Sequence, residues 1–203
     1  MADQRFVLGV DLDGVVADFY GSLRAIAAEW LGVSEDRLTE NVSYGLPEWN
    51  LRSKDEYEEL HRFAVTQKGL FRNLRPIKGA AATLRRLGYS HDVRIRIITH
   101  RLYIKYTHQA AVQQTTDWLD THGIPYWDLC FMGDKGAVGA SLYIEDSPPN
   151  IEALRKAGKK VIVFANSTNR TVDGPRAETW DELEKMVVTE LAEWKLRKGP
   201  IGA

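Results

Sequence analysis

Short apolar runs, most of them rich in Val and Ile, recur along the chain: FVLGVDL at 6–12, VRIRIITH at 93–100, YWDLCFM at 126–132, SLYIED at 141–146 and KVIVFAN at 160–166. Their length and near-continuous hydrophobicity suit strands buried on both faces of a parallel sheet. Segments of helical spacing with clear stops lie between them. GAAATLRRLGYS is expected to end at Gly88, and HQAAVQQTTDWLDTHGIP leaves through Gly123 and Pro125. PPNIEALRKAGKK opens with Pro149 near its first turn and closes at Gly158. Strands alternating with helices predict an α/β fold, a parallel sheet flanked by helices and joined by right-handed crossovers.

Residues 18–74 break this rhythm. They hold FYGSLRAIAAEWLG, with the spacing of an amphipathic helix, then LPEWNLRSKDEYEELHRFAVTQKG and FRNL, and no evident strand. This reads as a helical insertion placed directly after the first strand. Open α/β sheets bind ligands beyond the carboxyl ends of their strands, so an insertion rooted there forms a lid. The last stretch, KLRKGPIGA, reads as a frayed tail.

The chain has 203 residues, enough for one full core with a small insertion. A net charge of −1 and no basic stripe argue against a nucleic-acid polymer as partner. The single cysteine, Cys130, rules out an internal disulfide framework and reads as a small buried hydrophobe. There is neither a basic segment leading into a long apolar one at the N-terminus nor an apolar run long enough for a membrane span. The expected location is therefore the cytoplasm.

Chemistry enters at the strand ends. The first predicted strand delivers Asp11 and Asp13, the second Thr99 with His100 and Arg101 behind it, the third leads to Asp134 and Lys135, and the fourth gives Glu145 and Asp146. In a parallel sheet these groups converge on one rim. So many acids cannot all ionise together without a cation. Oxygen ligands without His or Cys suit a hard ion such as Mg²⁺. Lys135 offsets negative charge and can hold an anionic phosphate. Asp11 is suited to attack as a carboxylate nucleophile, forming an acyl-phosphate. Asp13, two residues on, can serve the leaving-group side as general acid and then base. Gly14 signals that the chain is already turning, so backbone N–H groups there can cradle phosphate oxygens, with the Thr99 hydroxyl as a further donor. Phosphoryl transfer needs little beyond positioning and charge neutralisation.

DLDGVVAD, Thr99, Lys135 and IEDSPPN, in that order, resemble the four motifs of the haloacid dehalogenase-like hydrolases. The resemblance covers roughly 6–17 and 76–166. It implies a Rossmann-like catalytic core over 1–17 and 75–203 and a small helical cap over 18–74. It also implies that Asp11 is the nucleophile and that Asp13 is the acid/base, with a main-chain oxygen on Mg²⁺. Thr99 and Lys135 would hold the phosphoryl group, with His100 beside them. Asp146 is implied as a direct metal ligand, and Glu145 as a ligand either directly or through water. An acid at Asp13 points to a phosphatase or phosphomutase rather than a dehalogenase.

A narrower resemblance is to the 5′(3′)-deoxyribonucleotidases, through GLFRNLRPIKGA at 69–80 and DLDGVVADF with its aromatic Phe19. It implies a nucleoside monophosphate substrate with Phe19 and Phe71 as substrate-binding residues. The pattern departs at Thr99-His100-Arg101, where that family carries Thr-Ser-Pro. His100 and Arg101 are expected to contact either the phosphate or the leaving nucleoside. IEDSPPNIEAL is also similar to sugar-phosphate mutases and phosphatases of the same superfamily. The other readings are therefore a phosphatase or mutase acting on a sugar phosphate or another small phosphoester, and a non-catalytic phosphate-binding module. A homodimer is compatible with the sequence.

Read without the resemblance, the aromatics Phe19, Tyr20, Trp30, Tyr44, Trp49, Phe63 and Phe71 are mostly core or interface candidates. His61, His91, His108 and His122 read as surface or helix-end residues with no metal-ligand spacing. DEYEEL reads as a solvated helix face.

Overall fold

The computed structural model describes residues 5–198. In chain order its elements begin with β1 (Val7–Val10), β2 (Ala17–Asp18) and α1 (Phe19–Leu31). Two 3-10 turns follow, Glu35–Arg37 and Pro47–Trp49, then α2 (Lys54–Lys68), α3 (Leu70–Asn73) and β3 (Arg75–Pro76). Next come α4 (Ala80–His91), β4 (Arg94–Thr99), α5 (His108–Thr121), β5 (Asp128–Phe131) and a 3-10 turn, Lys135–Val138. The chain closes with β6 (Leu142–Glu145), α6 (Pro148–Lys156), β7 (Val161–Phe164), a 3-10 turn at Ser167–Asn169, β8 (Arg176–Ala177) and α7 (Trp180–Lys198).

The five apolar runs form one parallel sheet, joined at one edge by the short strand β8, in the order β5-β4-β1-β6-β7-β8. β1 lies in the middle, its Leu8 and Val10 fully buried, with β4 and β6 in register on either side. The central position of β1 places Asp11 between the ends of β4 and β6. This is the α/β fold that the alternation of strands and helices predicts. Cys130 differs from the expectation. It lies on β5, an edge of the sheet, and is only half-buried.

Three further differences have local causes. A two-residue antiparallel ribbon, β2 with β3, closes the root of the insertion, where Asp18 caps α1 and pairs with Arg75 at 2.8 Å. α4 does not stop at Gly88 but runs to His91 and ends at Asp92 in the left-handed region. Burial of Leu84 and Leu87 outweighs the roughly 1 kcal/mol that a mid-helix glycine costs. The expected tail is helical through Lys198, because α7 buries Trp180, Leu183, Val187 and Leu191 along one stripe; residues 199–203 lie outside the described residues. Among the described residues, no helix is long and apolar enough to cross a membrane.

Candidate active site

The turn after β1 is built on one carbonyl. Leu12 O accepts from the N–H groups of Val15, Val16 and Ala17 at 3.3, 2.9 and 2.9 Å. The turn requires Gly14 at φ +83°, where a Cβ would meet Asp146 Oδ2 at 2.1 Å. Asp11 and Asp13 are thereby set on the rim of the sheet. Asp11 is buried and Asp13 half-exposed.

Lys135 ties the strand ends together. Its Nζ lies 2.8 Å from Asp11 and 2.6 Å from Glu145, and all three side chains are buried. Glu145 Oε1 accepts from Ser147 N–H at 3.1 Å and from Asn150 Nδ2 at 3.3 Å. Asp146 Oδ2 accepts from Asn166 Nδ2 at 2.7 Å, and its main-chain oxygen accepts from Asn169 Nδ2 at 2.8 Å. Asp134 is exposed, caps Gly136 N–H and stands outside this cluster. The Thr99 hydroxyl, at the end of β4, is buried and has no hydrogen-bond partner among the described residues.

Asp11, Glu145 and Asp146 bring a carboxylate oxygen each within 4.8 Å of one another. Burial, then the Glu145 charge, raises the Asp11 carboxyl well above the ordinary carboxylate range. The same two causes push Asp146 up to about 8. Burial alone would lower Lys135, but Asp11 and then Glu145 outweigh it and hold the ammonium firmly protonated. One ammonium cannot balance three desolvated carboxylates. The excess negative charge, on oxygen donors alone, fits a hard divalent cation.

A cavity of about 570 Å³ opens above this floor. Asp11, Asp13, Thr99, Lys135 and Asp146 line its base, while Phe19, Tyr20, Tyr44, Tyr57, His61 and Tyr103 form its walls. His100 lies on the rim, packed so closely over Gly133 that a Cβ there would sit 2.9 Å from its Nε2. Burial, with Lys135 adding, lowers its pKa.

Two residues expected to touch substrate are placed otherwise. Phe71 is fully buried and does not line the cavity; its ring lies under the Arg101 guanidinium, 4.1 Å from Cζ. Arg101 borders the cavity, but its Nε and Nη2 are spent on the two oxygens of Asp13, at 2.9 and 2.7 Å. His61 is a correction. It is a buried residue ringed by Phe19, Tyr57, Phe71 and Tyr103, not a surface histidine. The sequence reading missed Asn166 and Asn169; the signal was an asparagine at the end of the fifth predicted strand, where the other strands carry their site residues.

A parallel sheet with paired acids after its central strand, Thr and Lys at neighbouring strand ends and a helical insertion above defines the haloacid dehalogenase-like hydrolase class. Solved members share the fold. A hydrolase of Deinococcus radiodurans, crystallised with phosphate and sodium, superposes with a TM-score of 0.63 over 93% of this chain and 97% of its own, at 14% identity. A Streptococcus pneumoniae haloacid dehalogenase-like protein gives 0.61 over 91% and 98%, at 12% identity. Within this class, residues 5–192 match the model of the 5′ nucleotidase, deoxy (pyrimidine), cytosolic type C family, and the chain belongs to it. A Chlorobaculum tepidum protein described as "Putative 5'(3')-deoxyribonucleotidase" is 54% identical over 187 residues, 92% of each chain. The chain is thus a 5′-nucleotidase-like phosphatase.

Proposed function

We propose that this chain is a Mg²⁺-dependent phosphomonoesterase that hydrolyses (deoxy)nucleoside monophosphates through an aspartyl-phosphate on Asp11. The observation that carries the reading is Asp11 itself. It is a buried carboxylate on the cavity floor, held by Lys135 at 2.8 Å, with the unpartnered Thr99 hydroxyl lining the same floor. Those groups hold the phosphoryl oxygens while an Asp11 oxygen attacks phosphorus. The ester oxygen leaves with a proton from Asp13. Asp13 then takes a proton from the water that cleaves the aspartyl-phosphate. The Asp11 and Asp146 carboxylates, with the Asp13 main-chain oxygen, would hold Mg²⁺. Bound there, the ion supplies positive charge against the phosphoryl oxygens. Glu145, whose oxygens already accept from Lys135, Ser147 and Asn150, orients Lys135 and adds charge.

Residues 18–74 act as the cap, and their aromatic side chains suit a nucleobase better than a sugar alone. Sequence similarity to the Chlorobaculum protein supports the same substrate class. The test is phosphate release from deoxynucleoside monophosphates and sugar phosphates, with Mg²⁺ and with chelator. Release with Mg²⁺ is expected to be strongest from the nucleotides. Asp11→Asn is expected to lower kcat by more than about a thousandfold while the melting temperature holds. Undiminished turnover in that variant would overturn the mechanism, and preference for a sugar phosphate would overturn the substrate.

A further inference from the structure

Arg101 stands where the sequence departs from the deoxyribonucleotidase pattern, and its surroundings are unusually complete. The residue is 3% exposed. Its Nε and Nη2 donate to the two carboxylate oxygens of Asp13 at 2.9 and 2.7 Å, a bidentate fork. Its Nη1 donates to Thr115 Oγ1 at 2.9 Å, and that hydroxyl in turn donates to Ala111 O on α5 at 2.6 Å. The flat guanidinium lies 4.1 Å over the Phe71 ring. Phe71 is fixed as well: its N–H donates to Gln114 Oε1 at 3.2 Å, and Gln114 Nε2 donates to Val65 O at 2.9 Å. All three guanidinium nitrogens are engaged and one face is stacked. A residue built this way is not a free arm for capturing phosphate.

We propose that Arg101 is a positioning residue that acts through Asp13, holding its carboxyl group where the leaving oxygen will be and leaving phosphate binding to Thr99 and Lys135. The inference rests on the reading of Asp13 as general acid and goes beyond it. The platform beneath Arg101 belongs partly to α5 of the core and partly to α3 at the root of the cap. The orientation of Asp13 is therefore set jointly by the two parts of the chain. In the first step a P–O bond to Asp11 forms as the P–O bond to the leaving group breaks; the breaking bond's electron pair stays on the ester oxygen, and a proton carried by Asp13 on a lone pair that the Arg101 fork leaves free moves to that oxygen. A carboxyl group turned away from that oxygen slows only reactions whose leaving group needs the proton.

Leaving-group dependence is therefore the readout. Phenyl phosphate and 4-nitrophenyl phosphate differ little in shape, but phenolate is a poor leaving group and 4-nitrophenolate a good one. Wild type, Arg101→Met, Arg101→Lys, Asp13→Asn and the Arg101→Met/Asp13→Asn double variant are compared on both, with Mg²⁺ present. Arg101→Met is expected to lower kcat for phenyl phosphate by about 10–100-fold. The loss for 4-nitrophenyl phosphate should stay under about threefold, and KM for either ester should hold within about twofold. Arg101→Lys restores part of the loss, since one ammonium cannot reproduce the fork; it also carries the test if the methionine variant fails to fold. Asp13→Asn shows the same pattern more strongly, and the double variant is no worse than Asp13→Asn, because residues acting in series are not additive.

If Asp13→Asn shows no leaving-group dependence, the general-acid reading itself falls. If it does while loss of Arg101 raises KM for both esters, Arg101 binds substrate directly and the inference is overturned. Equal losses of kcat on both esters, or multiplied losses in the double variant, overturn it equally.

Discussion

His61 gives the sharpest quantitative test of the cap. It sits on α2 in a stretch, EYEELHRF, that reads like a solvated helix face, yet it is buried and neither ring nitrogen has a hydrogen-bond partner among the described residues. The rings of Phe71, Phe19, Tyr57 and Tyr103 surround it, with centroids at 5.6, 5.8, 5.8 and 6.5 Å. Burial lowers its pKa from the ordinary 6.5 to about 4, with Asp13 opposing the shift and Arg101 adding to it. The imidazole is thus neutral in the folded protein at any pH well above 4.

The sign of the linkage follows. Above about pH 6.5 the folded and unfolded chains are both neutral here, and the site contributes no pH dependence. As the pH falls from there towards about 4, the unfolded chain binds a proton that the folded chain refuses, so stability drops. At about pH 5 the loss comes to roughly 2 kcal/mol. His61→Leu removes the site. At about pH 8 the variant is expected to match or slightly exceed wild type, since a buried donor and acceptor without partners are removed. At about pH 5 it should exceed wild type by roughly a further 2 kcal/mol. Urea unfolding of both proteins at the two pH values measures this directly, and titrations elsewhere in the chain cancel in the comparison. Parallel pH dependence of the two proteins would show that His61 titrates as an exposed residue, and would refute its burial among these rings.

Two other outcomes test the floor of the site. Gly14→Ala places a methyl group 2.1 Å from Asp146 Oδ2 at a backbone φ of +83°; it is expected to cost about 1–3 kcal/mol and most of the phosphatase activity, and wild-type stability with full turnover would contradict the turn geometry. Mg²⁺ at about a hundredfold over its dissociation constant is expected to add about 2.7 kcal/mol, read as a rise of about 5–10 °C in melting temperature. Asp146→Asn should erase that rise, and a full shift in the variant would move the cation elsewhere.

How far the sequence carries the fold depends on the kind of signal. Apolar runs reveal the strands β1, β4, β5, β6 and β7: β1, β6 and β7 are buried almost throughout, while β4 keeps enough Ile to stand out despite Arg94 and Arg96, and β5 is a half-buried edge read from its Leu, Cys and Phe. Their order brings Asp11, Thr99, Lys135, Glu145 and Asp146 to one rim, since each stands at or just beyond a strand end. What escaped has no local pattern. β2, β3 and β8 are two residues long, too short for any period to register. The stripe of α7 is diluted by charge, so its end reads as a tail. The burial of His61 is imposed by rings from α1, α3 and the segment after β4, none of which its neighbours in sequence announce. Arg101 and Asp13 are 88 residues apart, and nothing in THRL tells a positioning arginine from one that grips substrate.

The two acids of DLD are oriented by different parts of the molecule. Asp11 is fixed by the core alone, through the turn on Leu12 O and through Lys135, which Glu145 holds in turn. Asp13 projects from the same turn, but its carboxyl group is gripped by Arg101, whose platform includes Phe71 of α3. On the proposed mechanism, a displacement of α3 would therefore leave Asp11 and Lys135 in place while disturbing Asp13, the group assigned to the leaving oxygen. On that mechanism, capture of phosphate would not require the cap, whereas protonation of the departing nucleoside would. On that reading, discrimination among leaving groups is set by the part of the site that lies above its floor.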